Sequence, residues 1–149
     1  MRAVAQRVAS ARVCVDGAEV GAIDRGLLVY LGVGREDAAA DVTLIADKLA
    51  GLRVFEDDAG RMSLDLPAVR GAVLLVSQFT LYGDVRRGRR PSFDAAMEPV
   101  AAEALYRDVA RRLTELGIVV ETGVFRATMS VESVNDGPVT ILIDSKRGF

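Results

Sequence analysis

Ser77, Gln78 and Thr80 stand together where the apolar run "AVLLV" gives way to "SQFTLY", with Phe79 between them. A rigid strand end is where a sheet presents hydroxyl and amide groups to a ligand. The same pattern also suits a strand leaving the core into a turn. No base flanks Thr80, and the chain has no histidine to supply one from elsewhere. Ser-His-Asp and Cys-His nucleophilic systems are therefore excluded, as is a zinc site built from imidazole and thiolates. The one cysteine, Cys14, forms no intrachain disulfide, and its alternation with Val13 and Val15 reads as a small buried strand residue rather than a nucleophile. Hydrolytic chemistry here must rest on hydroxyls, carboxylates, arginines, backbone amides or groups of the substrate. Backbone N–H groups near Thr80 could form an oxyanion hole, which needs no titratable side chain.

The second chemical feature is basic. Arg86, Arg87, Arg89 and Arg90 crowd into "DVRRGRRPSF", while the whole chain carries a net charge of −2. The chain is thus no polycation, and the cluster is either a solvated loop or one that contacts phosphate, for which arginine offers a bidentate fork.

These residues need a scaffold, and 149 residues, half of them hydrophobic, suffice for one domain spanning 1–149. Such a chain buries about 68–70% of its unfolded surface. No apolar stretch approaches the roughly 18–20 residues of a membrane span. "MRAVAQRVAS" lacks a signal-peptide core, so a soluble cytoplasmic protein is expected. Alternating Val13 and Val15, the Asp16-Gly17 turn and a run through Val20 and Ile23 predict two strands. "GLLVYLGV" predicts a strand covered on both faces. Val42, Ile45, Leu49 and Leu52 predict a helix capped by Asp37, and Leu105, Val109, Leu113 and Leu116 a second, opened by Pro99 and stopped by Gly117. "IVVETGVF", "TMSVESV" and "PVTILID" predict closing strands. The expected fold class is mixed α+β: β-sheets forming a barrel-like core, with two main helices.

One stretch, "SVNDGPVTILIDS", reads as an interrupted strand, because proline donates nothing to a sheet and an interior glycine packs nothing. On local residues alone, Asn135-Asp136-Gly137 makes a hairpin turn and Pro138 opens the next strand.

"SQFTLYGD" at 77–84, "GRRPSF" at 88–93 and "NDGPVT" at 135–140, with "MRAVAQRV" at the start and "GLRVFED" at 51–57, resemble the signature segments of the D-aminoacyl-tRNA deacylases. The likeness spans essentially the whole chain in order. It implies an enzyme that hydrolyses the ester between a D-amino acid and the 3′ end of tRNA, and that also clears glycine mischarged on alanine tRNA. The family resemblance further implies a homodimer with each active site at the subunit interface, while the lack of histidine and the single cysteine lead to the expectation of hydrolysis without a metal or cofactor. Ser77, Gln78, Phe79 and Thr80 match the segment around the scissile ester. Gly137 and Pro138 match a cis Gly-Pro pair that reaches into the partner subunit's pocket. Arg7 matches an arginine that orients this pair, and Phe125 and Met129 match residues around the terminal adenosine. Arg126 departs from the pattern, since family members often carry a small residue there. The family's chemistry is read as water attack assisted by the ribose 2′-OH, with Thr80 as nucleophile a secondary reading.

A rival reading is a non-catalytic RNA-binding module, with the arginine loop on phosphates and Phe79, Tyr82 or Phe93 stacking on bases. The 5% aromatic content, without tryptophan, and the negative net charge weigh against it. A small-metabolite hydrolase on the same fold is a third.

Overall fold

Met1, Ala3 and Ala5 are buried at every second position, and the segment they open, Arg2–Val15, forms a 14-residue strand, β1. The structure is a computed structural model, and it describes residues 1–148. Asp16 and Gly17 follow with φ of 50° and 78°, the positive pair that a two-residue hairpin turn requires. The chain returns as β2 (Ala18–Ile23) and continues into β3 (Gly26–Gly32). After α1 (Ala39–Ala50) come a small hairpin, β4 (Phe55–Glu56) with β5 (Met62–Leu64), and the short α2 (Leu66–Val69). β6 (Ala72–Ser77) leads through a 3-10 turn at Phe79–Tyr82 to α3 (Pro99–Glu115), β7 (Val119–Thr122) and β8 (Ser130–Asp144).

The main sheet has six strands. β3, β6 and β7 run parallel, joined by connections that contain the helices, while β1 pairs antiparallel with β2, β3 and β8. β2 curls onto β7: a Cβ on Gly21 would lie 2.6 Å from the Thr122 carbonyl oxygen, so only glycine fits there. This approach draws the sheet into a nearly closed barrel. β3 is covered on both faces, as its continuous apolar run predicts. Leu27, Val29 and Leu31 pack with Ile45, Leu49, Val109 and Leu113 of the helices. Leu28 points the other way, with Val8, Val13, Leu74 and Val76. The expected mixed α+β class with two main helices is what forms.

Four local expectations are corrected. Asp37 does not cap α1. Ala38 holds the N-cap position and Asp41 reaches back to its amide at 2.9 Å, whereas Asp37 accepts from the Met1 ammonium at 2.5 Å and from the Gly34 amide at 2.6 Å. Leu52 lies beyond the helix. On α3 the buried face is Ala102, Tyr106, Val109 and Leu113, so Leu116 faces out. The last two expected strands are one. β8 pairs with β1 on both sides of the NDGP stretch, Thr140 opposite Gln6 and Asn135 opposite Val8. The chain bulges away from its neighbour and resumes the same direction instead of turning back.

Candidate active site

The apolar run Val73–Val76 is fully buried between β3 and β7, and this fixes where its polar continuation emerges. The Gln78 amide donates to the Leu31 carbonyl at 2.8 Å, the last tie to the sheet. The backbone then tightens into the turn that begins at Phe79. Ser77 and Gln78 are half-buried, while Phe79 and Thr80 are exposed.

A cavity of about 560 Å³ opens at this point, and Ser77, Gln78, Phe79, Phe125 and Met129 line it together. Five of the residues singled out in sequence therefore converge, from the end of β6 and the turn after it, and from the loop between β7 and β8. Phe125 is held from behind by Tyr106, whose ring centroid is 5.7 Å away and whose hydroxyl donates to the Leu75 carbonyl at 2.7 Å. Burial pushes the Tyr106 phenol well above its ordinary value, so it stays a donor. Phe93 also lines the cavity, edge-on to Phe79 at 5.0 Å and 66°. It closes the arginine loop, which is pinned at its base by paired bonds of 2.8 and 2.9 Å between Asp84 and Ser92. All four loop arginines are exposed, and among the described residues only Arg86 is tied down, by Asp84 at 2.6 Å.

Thr80 is not on the cavity wall. Its hydroxyl accepts from the Gln78 side-chain amide, and no titratable group contacts it among the described residues. Arg7, Gly137 and Pro138 also lie away from the cavity lining. They form a second cluster at the β8 bulge. The Gly137-Pro138 bond is cis. Arg7 is buried beneath it, donating through Nε to the Asp136 carbonyl at 3.0 Å and through Nη1 to the Val54 carbonyl at 2.6 Å. Asn135 closes the base of the bulge by accepting from the Val139 amide at 3.0 Å.

Sequence reasoning missed Tyr106 altogether, because its helical spacing favours Leu105. Phe93 was visible only as a motif residue and a candidate base-stacker. Its contact with Phe79, 14 residues earlier, follows from the loop folding back and has no periodic signal.

Cys14 is half-buried on β1. Among the described residues, no three His, Cys, Asp or Glu side chains converge to hold a metal ion, and no helix is long and apolar enough to cross a membrane.

Comparison with known proteins agrees across the chain's length. The family model for D-Tyr-tRNA(Tyr) deacylase matches residues 4–144. The chain is 64% identical to the D-aminoacyl-tRNA deacylase of Anaeromyxobacter dehalogenans over 149 residues, covering all of both chains. It is 61% identical to that of Sorangium cellulosum over 150 residues, again covering all of both. A solved structure described as a c-Myc DNA unwinding element binding protein superposes with a TM-score of 0.92 at 39% identity, covering 97% of this chain and 99% of that one. By these matches the chain belongs to the D-Tyr-tRNA(Tyr) deacylase family, hydrolases that act on ester bonds.

Proposed function

We propose that this protein hydrolyses the ester of D-aminoacyl-tRNA, releasing the D-amino acid and free tRNA. The observation that carries the reading is the cavity joining Ser77, Gln78 and Phe79 to Phe125 and Met129 in a chain without histidine. An aminoacyl ester beside a ribose 2′-OH is already labile. Its hydrolysis needs positioning, donors for the developing oxyanion and access for water, and it needs no protein nucleophile. Phe125 and Met129 offer an apolar surface for the terminal adenine. Phe79 and Thr80 open a helical turn, and amides at such a start have no partner within it. Water, assisted by the 2′-OH, adds to the carbonyl carbon. The oxyanion accepts from these amides, the bond to the ribose 3′ oxygen breaks, and that oxygen takes up a proton.

Chiral selection is assigned to Gly137 and Pro138 acting across a homodimer, each bulge entering the partner's cavity. Three features support this. The bulge does not line its own chain's cavity, the buried Arg7 anchors it, and β8 is an edge strand with Val134 and Leu142 exposed. A rim of backbone atoms excludes an L side chain whatever its size, yet it admits hydrogen, so glycine mischarged on alanine tRNA is a second substrate. The arginine loop flanks the cavity and serves the tRNA phosphates. The enzyme works in the cytoplasm without a cofactor or metal.

The deciding assay incubates the protein with D-Tyr-tRNA, L-Tyr-tRNA and Gly-tRNA in parallel. Hydrolysis of the first and third with the second spared is expected. Binding without turnover of any of them would return the chain to the RNA-binding reading.

A further inference from the structure

Arg126 is the only charged residue among the described residues that line the cavity. It is exposed, and no hydrogen bond or ion pair joins it to another described residue, whereas Arg107, Arg111 and Arg112 all reach acidic partners. Its backbone is also unusual. The Ala127 amide donates to the Val124 carbonyl at 3.2 Å, closing a turn in which Arg126 has φ of 65°. A positive φ at this point of a turn favours glycine or asparagine. Arginine therefore sits here against the backbone's preference, immediately after Phe125, with its guanidinium unclaimed by the described residues.

We infer that Arg126 holds the phosphodiester on the 5′ side of the substrate's terminal nucleoside. This rests on the deacylase reading and adds to it a contact that positions the nucleic acid. With the base against Phe125 and the ester at Ser77 and Phe79, that phosphate is the nearest anionic group of the substrate to the cavity mouth. A guanidinium fork matches two phosphate oxygens, where an ammonium offers only a point charge. Arg126 and Phe93, the residue that closes the arginine loop, both line the cavity, so the single-stranded 3′ end meets cationic side chains from two separate segments of the chain.

The test compares wild type with Arg126→Gly and Arg126→Lys on two substrates, D-Tyr-tRNA and 3′-D-tyrosyl-adenosine, which carries no phosphate. Glycine suits the positive φ, so the first variant keeps its fold, and its melting temperature is measured to verify this. In Arg126→Gly the preference for tRNA over the phosphate-free substrate, as a ratio of kcat/KM, falls about tenfold, carried by KM. The log–log slope from a salt titration of uncharged tRNA binding falls by roughly 0.7. Arg126→Lys restores the slope but only part of the ratio. An unchanged ratio and slope, or an equal loss on both substrates, would overturn the assignment. If wild type hydrolyses neither substrate, the deacylase reading fails, while the salt titration still decides the phosphate contact.

Discussion

Arg7 and Asp136 are 129 residues apart in the chain and are joined at 3.0 Å, guanidinium Nε to backbone carbonyl. The same guanidinium reaches Val54 and lies 3.6 Å from the Glu56 carboxylate, so one buried side chain ties β1 to the bulge of β8 and to the β4 hairpin. Glu56 and Asp136 are more than half exposed. Removing the arginine therefore strands two carbonyls and not a buried charge.

Arg7→Ala is expected to cost about 1–3 kcal/mol, the range for unpaired buried polar groups. It should also lower turnover of D-Tyr-tRNA by more than the stability loss explains, because the bulge loses its anchor. Arg7→Lys should rescue little, since one ammonium cannot match the fork. Urea unfolding at equal occupancy, set beside single-turnover rates, separates the two effects. Wild-type rates in Arg7→Ala would detach this arginine from the site.

Thr80→Ala should retain substantial activity, within about tenfold of wild type, well short of the roughly 10²–10⁴ lost with a general base. The hydroxyl is off the cavity wall and has no base beside it among the described residues. A substrate ending in 2′-deoxyadenosine should instead react far more slowly. An aminoacyl ester trapped on Thr80 during turnover would reverse this order.

Light scattering at micromolar concentration should give a dimer. Leu142 is 58% exposed and Val134 57% exposed on β8, so replacing both with glutamate should leave the protomer folded yet split the dimer and abolish turnover. A wild-type monomer with full activity would remove the cross-subunit arrangement.

Arg87, Arg89 and Arg90 are exposed and carry no ion pair among the described residues. Changing all three to glutamine should leave the melting temperature in place. For every arginine that grips a phosphate, its removal should lower the salt slope of tRNA binding by about 0.7–0.9, while the D-over-L preference persists. A slope equal to wild type would make the loop solvated surface.

Burial alone would raise the Asp41 carboxyl, but hydrogen bonds from Ser145, Lys146 and the Ala38 amide outweigh it and bring it down to about 2. The unfolded value is about 3.9, so the stability this group adds is complete above pH ~4 and is lost as pH falls toward 2. Asp41→Asn should be less stable at pH 5 and should lose less on acidification to pH 2.5. Equal losses in variant and wild type would show that the acid sensitivity lies elsewhere.

Much of the fold and of the site was legible in the sequence. The run Val73–Val76 followed by Ser77 marked a buried strand with a polar exit, because burial and alternation are local properties. The family resemblance drew attention to Phe125 and Met129. What escaped depended on distance in the chain. Asp37 looks like a cap beside its helix, but the Met1 ammonium and Gly34 amide compete for it from elsewhere. Asn135-Asp136-Gly137 looks like a hairpin, and only the presence of β1 along both flanks makes it a bulge. Local turn chemistry does not reveal which strand is waiting on the far side.

The bulge also has an arithmetic of parity. Between Gln6–Thr140 and Ser10–Val134, five residues of β1 face seven of β8, a surplus of two. Because the pleat alternates, an even surplus leaves odd residues opposite odd residues on both flanks, Ala5 with Ile141 and Val13 with Val131. Ile141 and Val131 therefore both turn inward, against different cores. One residue more or fewer in the bulge would turn an entire flank inside out, whereas two would leave the pleat in phase. The protruding segment is thus free to vary in length only by even steps.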